Sequence, residues 1–241
     1  MLRPMRPSAL VPLLSALAAA PLLAQVGHPP ADSPYRDIPK GHSVTAVVGR
    51  IGGGGGRLGI GPQDGTVFGV RYDVRTGGTV QFGLTLAQAT THPFLVDPFV
   101  EVARRKTGPV PQQVRFADMS IQLNLSGGKS WHRLAPYTGV SLGVAFSDRI
   151  AADTSGFRFG NKFYFAPQVG TRFFLTDRLH LRADVRATFW KLSYPVSFTE
   201  EPVLDPGTPP DDSHAVITDQ RLSEWTLTPW IQIGLGYSFS L

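Results

Sequence analysis

Between Leu179 and Trp190 the chain separates into two unlike sets when every second residue is read. Leu179, Leu181, Ala183, Val185, Ala187 and Phe189 fall on one side; His180, Arg182, Asp184, Arg186 and Thr188 fall on the other, before Trp190. Such alternation marks a strand whose two faces meet different surroundings. The same period recurs elsewhere. Phe68, Val70, Tyr72 and Val74 alternate with Gly69, Arg71, Asp73 and Arg75, and Val80, Phe82, Leu84 and Leu86 with Gln81, Gly83, Thr85 and Ala87. Met119, Ile121, Leu123 and Leu125 oppose Asp118, Ser120, Gln122 and Asn124. Near the end Ile231, Ile233, Leu235, Tyr237, Phe239 and Leu241 oppose Gln232, Gly234, Gly236, Ser238 and Ser240. Only "SVTAVVGRI" is apolar on both faces, which leaves its facing open. Eight segments result, at about 43–52, 65–75, 79–90, 113–126, 134–147, 161–175, 179–190 and 223–241. Helix-period patterns are scarce beyond the first 24 residues, so the fold class is all-β.

The connections sort by length. "TGG" (76–78), "GGKSWHR" (127–133) and "TDR" (176–178) are short and predict tight hairpins, whereas 53–64, 91–112, 148–160 and 191–222 are long. Long and short alternate without exception. An eight-stranded antiparallel up-and-down transmembrane β-barrel produces this order, with tight turns at one rim and long loops at the other. A soluble sandwich has no reason to sort its loops.

A soluble barrel with an apolar lumen would bury the leucines; a membrane barrel reverses this. We read the polar face as inward. It carries Arg71, Asp73, Arg75, Asp118, Arg172, His180, Arg182, Asp184, Arg186 and Glu224, among small Gly, Ser and Ala residues that leave room for long arginines. Five arginines against four acids predict a salt-bridged lumen network; a selective channel would show an excess of one sign. Aromatic residues fall where an interfacial girdle needs them: Phe146, Phe163, Phe165, Phe189 and Trp225 at the loop ends, Phe82, Phe173, Tyr237 and Phe239 at the turn ends.

Composition narrows the compartment. The 241-residue chain is 42% hydrophobic and only 17% charged, below the roughly 25% usual for soluble domains. Residues 1–24 read as a signal peptide, with Arg3 and Arg6 before "ALVPLLSALAAAPLLA" and cleavage after Ala24. That apolar stretch is short for a spanning helix and broken by Pro12 and Pro21. The Pro-rich residues 25–42 read as a periplasmic linker, and 43–241 as the barrel. The absence of cysteine excludes disulfides and thiolate metal sites. A net charge of +5 with no basic, aromatic-interleaved surface points away from nucleic acid.

With these segments in place, "LAPYTGVSLGVAF" (134–146) and "FAPQVGTRFFLTDRLHLRADVRATFW" (165–190) resemble small bacterial outer-membrane barrels of the OmpA-like and OmpX-like kind. The tail "WIQIGLGYSFSL" is similar to the carboxy-terminal strand that the barrel-assembly machinery reads in that family, though Leu241 stands where the family usually has Phe. The resemblance covers about 43–241, lacks the peptidoglycan-binding domain of full-length OmpA-type proteins, and implies the outer membrane as location, with its lipid and lipopolysaccharide as partners.

Two motifs mimic catalysis. Gly54-Gly55-Gly56-Arg57-Leu58-Gly59 fits a dinucleotide-binding template, but Pro62 and Gly65 preclude the helix it requires. Gly139-Val140-Ser141-Leu142-Gly143 fits the serine hydrolase elbow, yet Ser141 lies mid-strand. His28, His42, His92, His132, His180 and His214 show no metal-ligand spacing. Glu200, Glu201, Asp205, Asp211, Asp212 and Asp219 in one loop, and Arg104, Arg105 and Lys106 in another, suit loop bridging, divalent-ion binding or lipopolysaccharide phosphates; the plainest reading is loops kept soluble. No catalytic, cofactor-binding or metal residue is assigned. The expected role is structural or surface-interactive, ahead of a small-solute pore and then of a lipid A-modifying enzyme.

Overall fold

The computed structural model describes residues 33–38 and 40–241, so the expected signal peptide (1–24) and 25–32 of the expected linker lie outside the described residues. The strands are β1 (Tyr35–Asp37), β2 (His42–Ile51), β3 (Gly65–Arg75), β4 (Val80–Thr91), β5 (Leu95–Val96) and β6 (Lys106–Thr107). They continue with β7 (Gln112–Asn124), β8 (Lys129–Trp131), β9 (Leu134–Ser147), β10 (Asn161–Phe174), β11 (Leu179–Ser193) and β12 (Ser223–Phe239). Eight of them, β2, β3, β4, β7, β9, β10, β11 and β12, pair antiparallel in that order. The ring closes where β12 pairs with β2, Ile233 against Val48 and Leu235 against Ala46.

Facing follows the period of two. Arg182 is 1% exposed while its neighbour Leu181 is 45% exposed; on β12, Gln232 is 2% and Ile233 62% exposed. The barrel is therefore polar within and apolar without. On β2, Ser43, Thr45 and Val47 point inward, and Val44 and Val48 outward, which settles the strand whose sequence was apolar on both sides. Glycine makes room where long side chains cross the lumen. A Cβ on Gly83 would stand 2.6 Å from Arg71 Cζ, and one on Gly143 would stand 2.7 Å from Tyr164 Cζ.

Two of the short connections are tight turns: Thr76 N–H donates to Val80 O at 3.1 Å, and Leu175 N–H to Leu179 O at 2.9 Å. The third departs from expectation. Within 127–133, β8 pairs with β1, Tyr35 against Trp131 and Asp37 against Lys129. It then turns into β9 through His132 (φ 45°) and Arg133 (φ 68°), with Trp131 opposite Leu134. Two consecutive left-handed residues are the backbone of a two-residue hairpin, a place where Asn-Gly is usual. The part of 25–42 that is described is accordingly no free linker. Tyr35–Asp37 is a strand, and Ile38 packs with Ala135 and Phe174 at the turn end of the barrel.

The lumen also differs from a uniformly polar interior. Its turn-side half holds the charges, but its loop-side half is apolar, filled by Phe116, Tyr164, Trp190 and Trp230 with Val67, Ala89, Val114 and Ala145. The Phe116 ring lies 5.1 Å from Trp230 and 6.3 Å from Trp190. The four long connections pack onto this plug through Ile60, Val96, Phe157, Phe159, Phe198 and Ile217. They form a cap that shares one continuous core with the plug and are not simply solvated loops.

Candidate functional site

The inward face of β11 sets Arg182, Asp184 and Arg186 in one line, because residues two apart share a side of a strand. Arg182 Nε donates to Asp184 Oδ2 at 2.9 Å, and Arg186 Nε to Asp184 Oδ1 at 3.3 Å. β3 repeats the device, Arg71 Nε donating to Asp73 Oδ1 at 2.8 Å. Cross-lumen contacts join the strands: Arg182 Nη1 reaches Asp73 Oδ2 at 3.4 Å, and Arg186 Nη1 reaches Asp118 Oδ2 at 3.1 Å. The result is one chain of alternating sign, Arg71–Asp73–Arg182–Asp184–Arg186–Asp118, each member at most 3% exposed.

Neutral groups add partners to it, although Asp118 Oδ1 and Arg186 Nη2 have none among the described residues. Tyr164 OH donates to Asp118 Oδ2 at 2.8 Å, Gln232 Nε2 to Asp184 Oδ1 at 2.9 Å, and Arg71 Nη2 to Ser120 Oγ at 2.5 Å. With its amide oxygen turned to the guanidinium groups, Gln122 accepts from Arg182 Nη2 at 2.7 Å. Arg182 and Arg186 also lie over the Tyr137 and Trp230 rings, at 4.6 and 5.0 Å. Ions out of water need this many partners, because an unpaired buried charge costs several kcal/mol.

Four expected members sit apart. Arg172 contacts no carboxylate; Nη1 donates to Gln81 Oε1 at 2.5 Å and Nη2 donates to Asn124 Oδ1. His180 is buried with Nδ1 3.2 Å from Ser238 Oγ, also without a carboxylate partner. Arg75 is at the turn rim and donates to the Ile38 carbonyl. Glu224 is not in this network at all. It lies at the loop rim, accepting from Arg57 N–H at 2.8 Å and from Tyr194 OH. The amide and phenol partners carry no charge, so a count of charges misses them; their inward parity is the signal that finds Gln81, Gln122, Tyr137 and Gln232.

Polar stitches hold the cap. Arg57 pairs with Asp219 at 2.8 Å, Arg105 Nη2 donates to His214 O at 2.7 Å, and Thr154 Oγ1 to Asp97 Oδ2 at 2.8 Å. Arg104 stands 3.8 Å from Glu101, and Lys106 Nζ lies 4.3 Å from the centre of the Phe94 ring. Glu201 accepts from Ser213 Oγ at 2.5 Å and from Gly207 and His214 N–H at 2.9 Å each, which hold its carboxyl below the usual carboxylate range, the serine contributing most. His214 is raised above its ordinary value, first by the Asp205 carbonyl 3.0 Å from Nδ1, then by the Asp205, Asp212 and Glu201 carboxylates.

On the outer wall Phe146, Phe163 and Trp225 are exposed at the loop rim, and Phe165 stacks on Phe189 at 4.9 Å. Phe82, Phe173 and Tyr237 are exposed at the turn rim, where Tyr237 stacks near Phe239 at 6.5 Å. The catalytic mimics occupy unremarkable places. Gly55, Gly56 and Gly59 are left-handed loop residues, and Ser141 is buried inside β9, accepting from Gln168 Nε2 at 3.3 Å. Among the described residues there is no cluster of His, Asp and Glu able to hold a metal ion.

No family model matches the chain, and no curated protein sequence matches it. Among solved structures it is similar to the outer membrane protein OprG from Pseudomonas aeruginosa, at 13% identity and a TM-score of 0.46, covering 87% of this chain and 100% of that one. Neisserial surface protein A gives 11% identity and a TM-score of 0.46, with 86% and 98% covered. The N-terminal β-barrel domain of OprF from Pseudomonas aeruginosa gives 10% identity and 0.43, with 83% and 98% covered. The architecture itself is read from this chain's own ladder. It is an eight-stranded antiparallel barrel of the transmembrane kind, with its charges inside and its hydrocarbon outside.

Proposed function

We propose that this chain is an integral protein of a bacterial outer membrane. On this reading residues 1–24 direct export, 25–42 are a periplasmic linker, and the four long loops face outward. The barrel strands, 10 to 17 residues long, meet or exceed the roughly 9–11 that a tilted strand needs to cross the hydrocarbon. The outward residues of β12, from Leu227 to Tyr237, give the assembly machinery an apolar terminal strand to engage.

Its role is structural or interactive. The observation that carries this is the lumen, filled by the ionic chain on the turn side and by Phe116, Trp190 and Trp230 beneath the cap. Eight strands leave an interior just wide enough for side chains, and here they occupy it. We assign no reaction and no conducted solute. The test is planar-bilayer recording on the refolded protein. The expected result is no stable conductance; steady single-channel steps that change in Arg186→Ala would replace this reading with a pore. Incubation with lipopolysaccharide followed by mass spectrometry is expected to leave lipid A unchanged, and a new lipid A product would replace it with an enzyme.

A further inference from the structure

The aromatic girdle at the loop rim is dense on one side of the barrel and thin on the other, where β2, β3, β4 and β7 add only Phe68, 56% exposed on β3. Phe146, Phe163, Phe165, Phe189 and Trp225 all belong to β9–β12. At the same rim, β2, β3, β4 and β7 carry a row of hydrogen-bonding side chains on the outward face. Arg50 is opposite Thr66, Thr66 opposite Thr90, and Thr90 opposite Gln113. One level down, Gln88 is opposite Arg115. Arg50 makes no ion pair among the described residues, and Arg115 meets only Asp148, at 3.4 Å, with both side chains more than half exposed.

Immediately below, the wall has a shallow, widely open groove of about 780 Å³ whose lining includes Gln88 and Arg115. Short Ala46 and Ala117 form part of its lining, with Phe68, Val70, Leu86 and Phe146 around them. The groove offers hydrocarbon contact, and the row above it offers cations and neutral donors on the outward face.

We propose that this sector seats one phosphorylated glycolipid, its phosphates on Arg50 and Arg115, its sugar hydroxyls on the Thr66–Thr90–Gln88–Gln113 surface, and an acyl chain in the groove. Three strand spacings across the sheet and two residues along it, about 16 Å in all, separate the Arg50 and Arg115 backbones, which leaves a sugar-sized span between the two guanidinium groups. Guanidinium is matched to phosphate in geometry as well as charge. A neutral lipid would leave both cations at the edge of the hydrocarbon without a counter-ion other than Asp148. The seat rests on the membrane reading given above.

Native mass spectrometry of the refolded full barrel, with purified diphosphoryl lipid A as the probe, tests it. The barrel is expected to retain one lipid A. Arg50→Gln/Arg115→Gln is expected to weaken retention at least about tenfold, a tenfold step per charged hydrogen bond lost. Lys191→Gln, on the aromatic half, is expected to leave retention unchanged. Equal retention of dephosphorylated lipid A, equal retention of phosphatidic acid, or an equal loss in the Lys191 variant would each overturn the seat. Insertion into phosphatidylcholine vesicles, followed by heat-modifiable gel migration, is scored separately for every variant. A barrel that inserts without selectivity loses only the seat; one that fails to insert loses the membrane reading, and the seat with it.

Discussion

Arg186 on β11 and Asp118 on β7 meet across the lumen at 3.1 Å, and the same carboxylate oxygen accepts from Tyr164 OH at 2.8 Å. That oxygen ties three strands, β7, β10 and β11, at the boundary between the charged half of the lumen and its aromatic half.

Asp118→Ala is therefore expected to destabilise the barrel by about 3–5 kcal/mol, because it leaves the Arg186 guanidinium buried with one carboxylate in place of two. The double variant Asp118→Leu/Arg186→Met is expected to recover most of that loss. Urea unfolding in lipid vesicles measures both; a double variant no more stable than Asp118→Ala would show that the ions contribute something apolar packing cannot replace.

Depth separates two substitutions of the same chemistry on the outer wall. Val185→Arg, near the middle of β11, is expected to cost about 2–4 kcal/mol, and Phe163→Arg, at the rim, about 0–1. Refolding yield into vesicles and unfolding midpoints report the difference. Equal costs at the two positions would mean that Val185 does not face lipid.

The cap is built from irregular segments packed on the lumen plug, so it is expected to loosen before the strand ladder of the barrel does. Phe198 is fully buried, and its carbonyl accepts from Ile217 N–H at 2.7 Å. Phe198→Ala removes about 3–5 kcal/mol of packing and is expected to open trypsin cleavage at Arg221, while heat-modifiable migration persists. Loss of that migration would make cap and barrel one cooperative unit.

The 201–219 loop is expected to be held best inside a pH window and to loosen at both ends of it. His214 is raised above 6.5, so its contribution is complete below that value and lost as pH climbs through its folded pKa. Glu201 is lowered from 4.5, so its contribution is present above that value and lost as pH falls through its folded pKa. Hydrogen exchange of this loop is expected to be slowest between the two. His214→Gln flattens the alkaline limb and Glu201→Gln the acid limb; an unchanged alkaline limb in His214→Gln would remove His214 from this role.

What the chain makes legible is whatever its period of two encodes. Arg182, Asp184 and Arg186 declare one face because Leu181, Ala183 and Val185 must declare the other, and every barrel strand lies within a few residues of the segment predicted for it. The His132-Arg133 hairpin was hidden because neither residue signals a left-handed backbone, and β1 was hidden with it. The period of two puts Trp190 and Trp230 on the inward side, but it carries no reason to expect aromatic rings there in place of polar groups. The cap core was out of reach for another reason. Phe157, Phe198 and Ile217 are scattered through irregular segments, and nothing periodic links residues that meet only in three dimensions.

The pairing of β12 with β2 joins residues almost two hundred positions apart, such as Ser238 with Ser43. Every other seam of the barrel joins neighbours along the chain. Circularisation is thus the one event that no local fragment can rehearse, and until it happens two unsatisfied strand borders stand open to any chain nearby. Shielding those borders until the last strand arrives would keep them from pairing with other chains.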